Sequence, residues 1–425
     1  MKIPGLRWWI AGALFLAAVL NYIDRNVLGL LAATIQRDLN ISEGQYANIV
    51  NCFLFAYTLA YLFSGRLVDK LGVRTSLALF IGWWSVSNAL TGLAQSAGSL
   101  YVYRFMLGLG EAGVWTAAPK AIAEWFPAVE RGVAVGIYSL GGTAGATLAP
   151  VLVAEVAMRF GWRWVFAVSP LLAAAWLFGW LWLYRSPADH PRITDHERER
   201  LAANLSESAA EHPLSERSRW AHVLRNPLVW KLMAARLLTD PVWYFYLFWL
   251  PKYLGTSRGL DQRGLSILWV IFLAADIGFL GGGLASARLI KNGMSAPAAR
   301  VRVMLASACI TPLFALVPLA PTVGGAIVIG MVVGCALTFW LGTLTALVVD
   351  VVPGLLLGTA FGVIACGSAL GGIFMNETVA WLVTHHSYND CFYFMACLHP
   401  LALFLIWRIG SRPSVLSTPN PQFAH

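Results

Sequence analysis

Apolar stretches of about 20 residues recur along almost the whole 425-residue chain. A helix of that length crosses the hydrocarbon core of a bilayer, roughly 30 Å thick, with all its backbone hydrogen bonds made internally. The composition agrees, because 58% of the residues are hydrophobic and only 12% are charged. The sequence therefore predicts an all-α membrane protein.

Twelve stretches are expected to be transmembrane helices, arranged in two six-helix bundles. Their predicted spans are 8–31, 46–65, 75–96, 98–119, 132–157, 162–184, 228–253, 264–288, 301–319, 323–349, 356–384 and 389–409. The predicted domains are an N-terminal bundle at 1–184, a cytoplasmic linker at 185–227, a C-terminal bundle at 228–410 and a cytoplasmic tail at 411–425. A midpoint linker of this kind is typical of transporters built from two related halves.

The positions of Lys and Arg predict the orientation, since short cytoplasmic loops retain these residues during insertion. Placing both termini in the cytoplasm puts most basic loop residues inside, among them Arg66, Lys70 and Arg74. We therefore expect a multi-pass protein of the inner (plasma) membrane. The net charge of +9 is explained by this topology and by attraction to anionic membrane lipid, so no nucleic acid partner is predicted.

The linker is rich in charged residues, Ser and Pro, and we interpret it as a solvated tether. Within it, "TDHERERLAANL" is expected to form a short surface helix, with Thr194 as N-cap and Glu197 three residues later.

Enzymatic chemistry is not predicted. The six cysteines lack metal-type CxxC spacing, and the chain shows no nucleophile–base set, metal cluster or nucleotide-binding loop.

Four ionisable residues interrupt two of the apolar stretches. Asp24 and Arg25 lie in "NYIDRNVLG", and Arg104 and Glu111 lie seven residues apart in "YRFMLGLGEAG", on one helix face. An ionised group at the bilayer centre costs roughly 2.5–3.5 kcal/mol on insertion scales, so such groups line a pathway or pair with one another. Static salt bridges, Asp24 with Arg104 or Arg25 with Glu111, are the structural alternative.

The segment "GRLVDKLGVRT" at 65–75 resembles the G-x-x-x-D-x-x-G-x-R signature of the major facilitator superfamily, through Gly65, Asp69, Gly72 and Arg74. Gly65 is expected to permit close helix approach, Asp69 to bind a neighbouring helix terminus, and Arg74 to make a cytoplasmic gate contact. The second-half counterpart, "GGGLASARLIKNG", keeps glycines and basic residues without the full pattern.

Nearly the full chain resembles the anion:cation symporter family, and within it the hexuronate (galacturonate and glucuronate) transporters. The resemblance is carried by "KIPGLRWW", "NYIDRNVLG", "RFMLGLGEAG", "AEWFPAVERGVAVGIYS", "LTDPVWYFYLFWLPKYL", "AADIGFLGGG" and "HPLALFLIW". It implies a major facilitator fold in which the first and fourth helices line a central cavity.

The resemblance also implies roles for the four ionisable residues. Asp24 and Glu111 match protonation sites of sugar-acid symporters, and Arg25 and Arg104 match arginines tied to the substrate carboxylate and to these acids. Arginine suits this task because its planar fork holds a carboxylate bidentately and keeps its charge.

Several further side chains are candidates for the cavity. Tyr22 and Tyr57 match substrate-contacting tyrosines of the family, with anchoring of helix ends as the alternative. Asn376 in the eleventh stretch is predicted to bind substrate, and the neighbouring Glu377 lies either near the cavity or at a helix contact.

A further pair of charges lies in the seventh stretch. Arg236 and Asp240 are four residues apart and are expected to form a structural pair.

Together these features predict proton-coupled symport of a hexuronate or related sugar acid anion into the cell by alternating access. Protons are the coupling ion, no other cofactor is expected, and the protein is expected to be a monomer. The alternatives are a transporter of another organic anion (aldonate, aldarate or tartrate), an anion exchanger, and, remotely, a membrane receptor that does not transport.

Overall fold

The computed structural model describes residues 2–201, 215–259 and 269–410, and within these ranges the chain is helical and has no strand. The long helices are α1 (Leu6–Leu30), α3 (Glu43–Gly92), α4 (Ala97–Trp125), α5 (Ala128–Phe160), α6 (Trp162–Leu183), α9 (Pro227–Phe248), α11 (Trp269–Lys291), α12 (Ala296–Ile310), α13 (Val323–Val351), α14 (Gly354–His385) and α15 (Tyr388–Ile406). The short ones are α2 (Ala32–Leu39), α7 (Asp195–Arg200), α8 (Glu216–Arg225) and α10 (Leu250–Thr256), with 3-10 turns at Thr311–Leu316 and Trp407–Gly410.

Nine helices within the described residues are long and apolar enough to cross a membrane. Many of their large apolar side chains point outward, as shown by Phe178 and Phe404, which are 78% and 74% exposed. Such a surface is unfavourable in water and suits contact with lipid. The prediction of an all-helical membrane protein is confirmed. Residues 264–268 of the eighth predicted span lie outside the described ranges.

Local signals explain where several helices begin and bend. Ser42 and Gln45 form a capping box at the start of α3, and Ser96 and Ser99 form another at the start of α4. Gly72 divides the 50-residue α3, because its φ of +76° is a conformation that favours glycine over other residues. Each half of α3 is then close to the length of one membrane crossing.

The chain divides into two compact units. The first unit comprises Met1–Pro127, Ile137–Glu211 and Gly354–Gly362. The second unit comprises Ala128–Gly136, His212–Pro353 and Val363–His425.

In the first unit, the predicted linker helix is present as α7, which ends at Arg200, and residues 202–205 of the prediction lie outside the described ranges. The Thr194 hydroxyl accepts a hydrogen bond from the Glu197 backbone N–H, as expected for an N-cap. This helix packs against the start of α1, since Glu197 is 2% exposed and its carboxylate lies 2.8 Å from the Arg7 guanidinium. The backbone N–H groups of Leu6 and Arg7 also donate to Glu197, at 3.2 and 3.3 Å.

Glu197 therefore caps α1, whose own N-cap residue Gly5 has no side chain to do so. Around it, the Arg192 guanidinium lies 3.9 Å from the centre of the Trp182 ring, and Ile3 donates its N–H to the Arg192 carbonyl. The interpretation of the linker as a solvated tether is wrong for residues 185–201, which dock on the first unit because Glu197 satisfies an otherwise open helix end.

We expect Glu197→Ala to destabilise the protein by roughly 1–3 kcal/mol, because the change removes the buried carboxylate that pairs with Arg7 and accepts from two backbone N–H groups. Asp195→Ala is the matched control. It removes an ion pair from the same helix, but Asp195 is 82% exposed and its pair with Lys2 lies at the surface, so little stability is lost. Thermal unfolding in detergent measures both changes, and equal effects of the two variants would contradict the capping role.

In the second unit, a buried cluster of charges surrounds Asp350. Its carboxylate accepts from Arg131 at 3.0 Å and from Arg300 at 3.1 Å, and Arg300 also donates to the Ser286 hydroxyl. Ser286 belongs to the second-half segment whose signature is incomplete, whereas Asp350 lies on α13.

Candidate functional site

The four ionisable residues predicted from the sequence lie on two helices of the first unit. Asp24 and Arg25 occupy the second half of α1, and Arg104 and Glu111 occupy α4. Asp24, Arg104 and Glu111 are all buried, whereas Arg25 is partly exposed. Two acids and two bases make the set neutral overall, which reduces the cost of holding charges away from water.

Arg25 and Glu111 form an ion pair between the two helices. The Nε and Nη2 atoms of Arg25 each lie 2.9 Å from Glu111 Oε2. The other carboxylate oxygen, Oε1, is buried and has no hydrogen-bond partner within the described part of the chain. The pair is therefore held through a single oxygen, and the other oxygen is available to a ligand, to water or to a proton.

Aromatic rings surround the Arg25 guanidinium. Its central carbon lies 5.1 Å from the centre of the Tyr22 ring, 4.7 Å from that of Tyr57 and 5.7 Å from that of Phe53. The Tyr57 hydroxyl lies 3.1 Å from that of Tyr61. Ring faces attract a cation and also pack against the C–H face of a sugar, so this environment suits both the arginine and a carbohydrate ligand.

Asp24 does not pair with Arg104, so this salt bridge of the structural alternative is not formed. Asp24 Oδ1 instead accepts from the Asn88 amide at 2.9 Å and from the Ser169 hydroxyl, while Oδ2 has no partner in the described ranges. Arg104 is 2% exposed, and its Nε and Nη2 atoms also lack hydrogen-bond partners there. A buried guanidinium with open donors is costly unless an anion binds it.

Two further side chains hold Arg25 in place, and sequence reasoning missed them. The Asn21 side chain accepts from Arg25 Nη2 at 3.2 Å and from the Trp115 indole at 3.3 Å, and it donates to the Glu111 carbonyl. Trp115 also makes an edge contact with Tyr22. The available signal was helical spacing, since Asn21 lies one turn before Arg25 and Trp115 one turn after Glu111.

Asp69 of the predicted gating motif binds the start of α14 within the first unit. Its carboxylate accepts from the backbone N–H groups of Gly358 and Thr359, at 3.0 and 2.7 Å, and from the Thr359 hydroxyl at 2.6 Å. Lys120 lies 2.6 Å from the same carboxylate. An acid near a helix N-terminus is favoured by the exposed N–H groups and by the helix dipole.

The other motif residues have separate structural tasks. A Cβ at Gly65 would lie 2.0 Å from the Gly358 carbonyl oxygen, so only glycine allows this helix approach. Gly72 provides the bend in α3, as described above. Arg74 donates to the Leu181 carbonyl at the end of α6, at 2.5 Å.

The second unit contains the remaining predicted pairs. Arg236 and Asp240 form the expected ion pair at 3.1 Å, and Arg236 also donates to the Thr345 hydroxyl at 2.7 Å. Asn376 accepts a hydrogen bond from the Trp249 indole at 3.2 Å.

Glu377, next to Asn376 on α14, has an exposed side chain. Its proximity to a substrate stays a prediction.

The sequence profile of the Major Facilitator Superfamily matches residues 14–376. The chain belongs to the Major Facilitator Superfamily. This match confirms the expectation drawn from the segment at 65–75, and it includes the charged residues on α1 and α4. The protein is thus a multi-pass membrane protein of this superfamily.

Several relatives have assigned names. The chain is 35% identical over 285 residues to a galacturonate transporter of Dickeya chrysanthemi, covering 66% of this chain and 82% of that protein. It is 34% identical to a hexuronate transporter of Escherichia coli K12, covering 66% of this chain and 65% of the relative. It is 32% identical to a probable L-galactonate transporter of the same strain, covering 76% and 71%. These relatives are transporters and not enzymes. The prediction that this protein is not an enzyme is therefore confirmed.

Solved structures of the superfamily share the fold. A proton:xylose symporter bound to 6-bromo-6-deoxy-D-glucose gives a TM-score of 0.74 at 16% identity, covering 97% of this chain and 98% of that one. The human organic anion transporter TETRAN gives a TM-score of 0.69 at 17% identity, covering 95% and 100%. At such low identity these similarities establish the fold alone.

Proposed function

We propose that the protein is a secondary active transporter that carries a hexuronate or related sugar acid anion into the cell together with protons. The observation that carries this proposal is Arg25, a guanidinium ringed by aromatic side chains and paired through one oxygen with the buried Glu111. Relatives named for galacturonate, hexuronate and galactonate transport support the substrate class.

In the proposed mechanism, the substrate carboxylate binds the arginines on α1 and α4. Arg104 offers its open N–H donors to the substrate carboxylate. At Arg25, the substrate carboxylate competes with Glu111 for the guanidinium. Glu111 released from its cation in a buried site favours its neutral form, so substrate binding promotes proton uptake. Tyr22 and Tyr57 offer hydroxyls and ring faces to the sugar.

We further propose twelve membrane crossings, with both termini in the cytoplasm. The nine candidate spans of the described residues become twelve when α3 counts as two crossings divided at Gly72 and when α4 and α9 are added. The two halves then give alternating access, as in transporters built from repeats. By the same proposal the protein works as a monomer in the lipid of the bacterial inner membrane, uses protons as its coupling ion and needs no other cofactor.

Uptake into proteoliposomes tests this function. Labelled galacturonate, glucuronate, galactonate, glucarate and tartrate are offered with and without an inward proton gradient. We expect accumulation of at least one sugar acid that requires the gradient. Uptake that depends only on anion preloaded inside the vesicles would instead indicate an exchanger, and binding without uptake would indicate a receptor.

We expect Asn376→Ala to change the ranking among sugar acids in competition assays, because its amide offers a hydrogen bond that only some patterns of hydroxyls can use. Glu377→Gln tests the neighbouring acid in the same way. Thr378→Ala is the control on the same helix, since the Thr378 hydroxyl is already bonded to the Phe374 carbonyl. An unchanged ranking with lower thermal stability would place Asn376 and Glu377 in packing roles only.

A further inference from the structure

Asp24 is held by two neutral donors from two other helices. Oδ1 accepts from the Asn88 amide of α3 and from the Ser169 hydroxyl of α6, and both donors are buried, at 0% and 1% exposure. Asp24 is itself 0% exposed. One carboxylate oxygen thus binds two buried donors that come from distant parts of the sequence. These donors form a site built around Asp24.

The partners of Asp24 differ in kind from those of Glu111. Glu111 is paired with a permanently charged guanidinium, which favours its ionised form. Asn88 and Ser169 carry no charge, so they hold Asp24 in place in either protonation state.

Both partners can also change their hydrogen-bond roles. A carboxylate only accepts, whereas a protonated carboxyl group donates one hydrogen bond. The Ser169 hydroxyl can donate to the first form and accept from the second. Asn88 Oδ1 is buried without a partner in the described ranges, and so is Asp24 Oδ2. A half-turn of the Asn88 amide exchanges its donor for this acceptor, so the side chain can accept a hydrogen bond from protonated Asp24.

The charged groups that act on Asp24 are Arg104 and Glu111, and both belong to α4. The other two helices packed against it present neutral groups, which are Trp84 and Asn88 on α3 and Ser169 on α6. A change at Ser169 or Asn88 thus alters the hydrogen bonding of Asp24 and leaves the local charge unchanged.

We propose that Asn88 and Ser169 are positioning residues that set the pH at which Asp24 takes up its proton. This inference rests on the proposed function, in which Asp24 is a proton-coupling site. Because hydrogen bonds to a carboxylate favour its charged form, removal of one donor makes protonation easier.

The test follows Asp24 directly in the purified protein by its infrared carboxylic-acid band, identified as the band lost in Asp24→Asn. In Ser169→Ala we expect the pH midpoint of this band to move up by roughly one unit or more. Asn88→Leu should move it the same way. Ser169→Thr keeps the hydroxyl and should restore the wild-type midpoint.

Ser87→Ala is the matched control, since Ser87 is a buried serine beside Asn88 whose hydroxyl donates to the Trp83 carbonyl. An unchanged midpoint in Ser169→Ala and Asn88→Leu would overturn the inference, as would a downward shift. The pH profile of proteoliposome uptake is the second readout. Wild-type protein that transports no sugar acid would overturn the proposed function alone, because the infrared titration does not require transport.

Discussion

Replacing Arg104 with lysine is expected to weaken substrate binding by roughly tenfold or more, although the positive charge is kept. Arg104 is almost fully buried, and two of its nitrogen atoms lack partners in the described part of the chain. A planar fork can offer both to one carboxylate, whereas a lysine offers a single ammonium on a chain of different reach. The substitution should therefore lower the affinity for the substrate.

Equilibrium binding of labelled galacturonate to purified protein in detergent measures this effect. Arg159→Lys is the control, because Arg159 is 69% exposed and pairs with Glu155 on its own helix. We expect the control to bind as the wild type does. Wild-type affinity in Arg104→Lys would remove Arg104 from the binding site.

Asp24→Asn and Glu111→Gln are each expected to abolish proton-driven accumulation while leaving exchange of substrate across the membrane. Both changes remove a group that can gain and lose a proton and keep the shape of the side chain. Glu111→Gln also leaves Arg25 with a neutral partner, so substrate binding is expected to remain or to strengthen. The two functions separate because binding needs the arginines and coupling needs the acids.

Two proteoliposome assays separate these functions, one driven by a proton gradient and the other by preloaded substrate. Glu124→Gln serves as the control on the same helix, since Glu124 accepts from the Tyr184 hydroxyl and lies outside the charged set. Concentrative uptake by both Asp24→Asn and Glu111→Gln would show that coupling resides elsewhere.

The helices could be predicted from the sequence because their cause is local. A run of apolar residues of membrane-spanning length has to be helical in lipid, and caps such as Ser42 and Ser96 mark where helices start. The bend at Gly72 also has a local cause, and its non-helical backbone separates the two spans that were expected to be separate helices.

The candidate site was predicted in part. Spacing on α4 put Arg104 and Glu111 on one face, and the Arg25–Glu111 pair was one of the two salt bridges of the structural alternative. The partners of Asp24 could not be predicted from the sequence, since Asn88 and Ser169 lie 64 and 145 residues away along the chain and are ordinary polar residues in apolar runs. Which of many buried polar groups meet depends on helix packing, and packing depends on contacts across the whole unit.

In the second half of the chain, contacts between distant residues were likewise not predicted from the sequence. The segment at 281–293 keeps only part of the signature, yet its glycines do allow close approach, since a Cβ at Gly283 would lie 2.5 Å from the Gly132 carbonyl oxygen. The acid of this region is Asp350, which comes from another helix. A motif search along the chain does not detect a charged residue that a neighbouring helix contributes to the region.

The cap that Glu197 provides for α1 has a consequence for biosynthesis. Glu197 follows Arg7 by 190 residues, which a ribosome adding about 5–20 residues per second needs on the order of ten seconds or more to translate. The end of α1 is thus completed only after α6 has been made, although α1 leaves the ribosome before α6. A gene divided for separate expression of the two halves should accordingly be cut beyond codon 201, because a cut at the end of α6 would leave the cap of α1 on the wrong polypeptide.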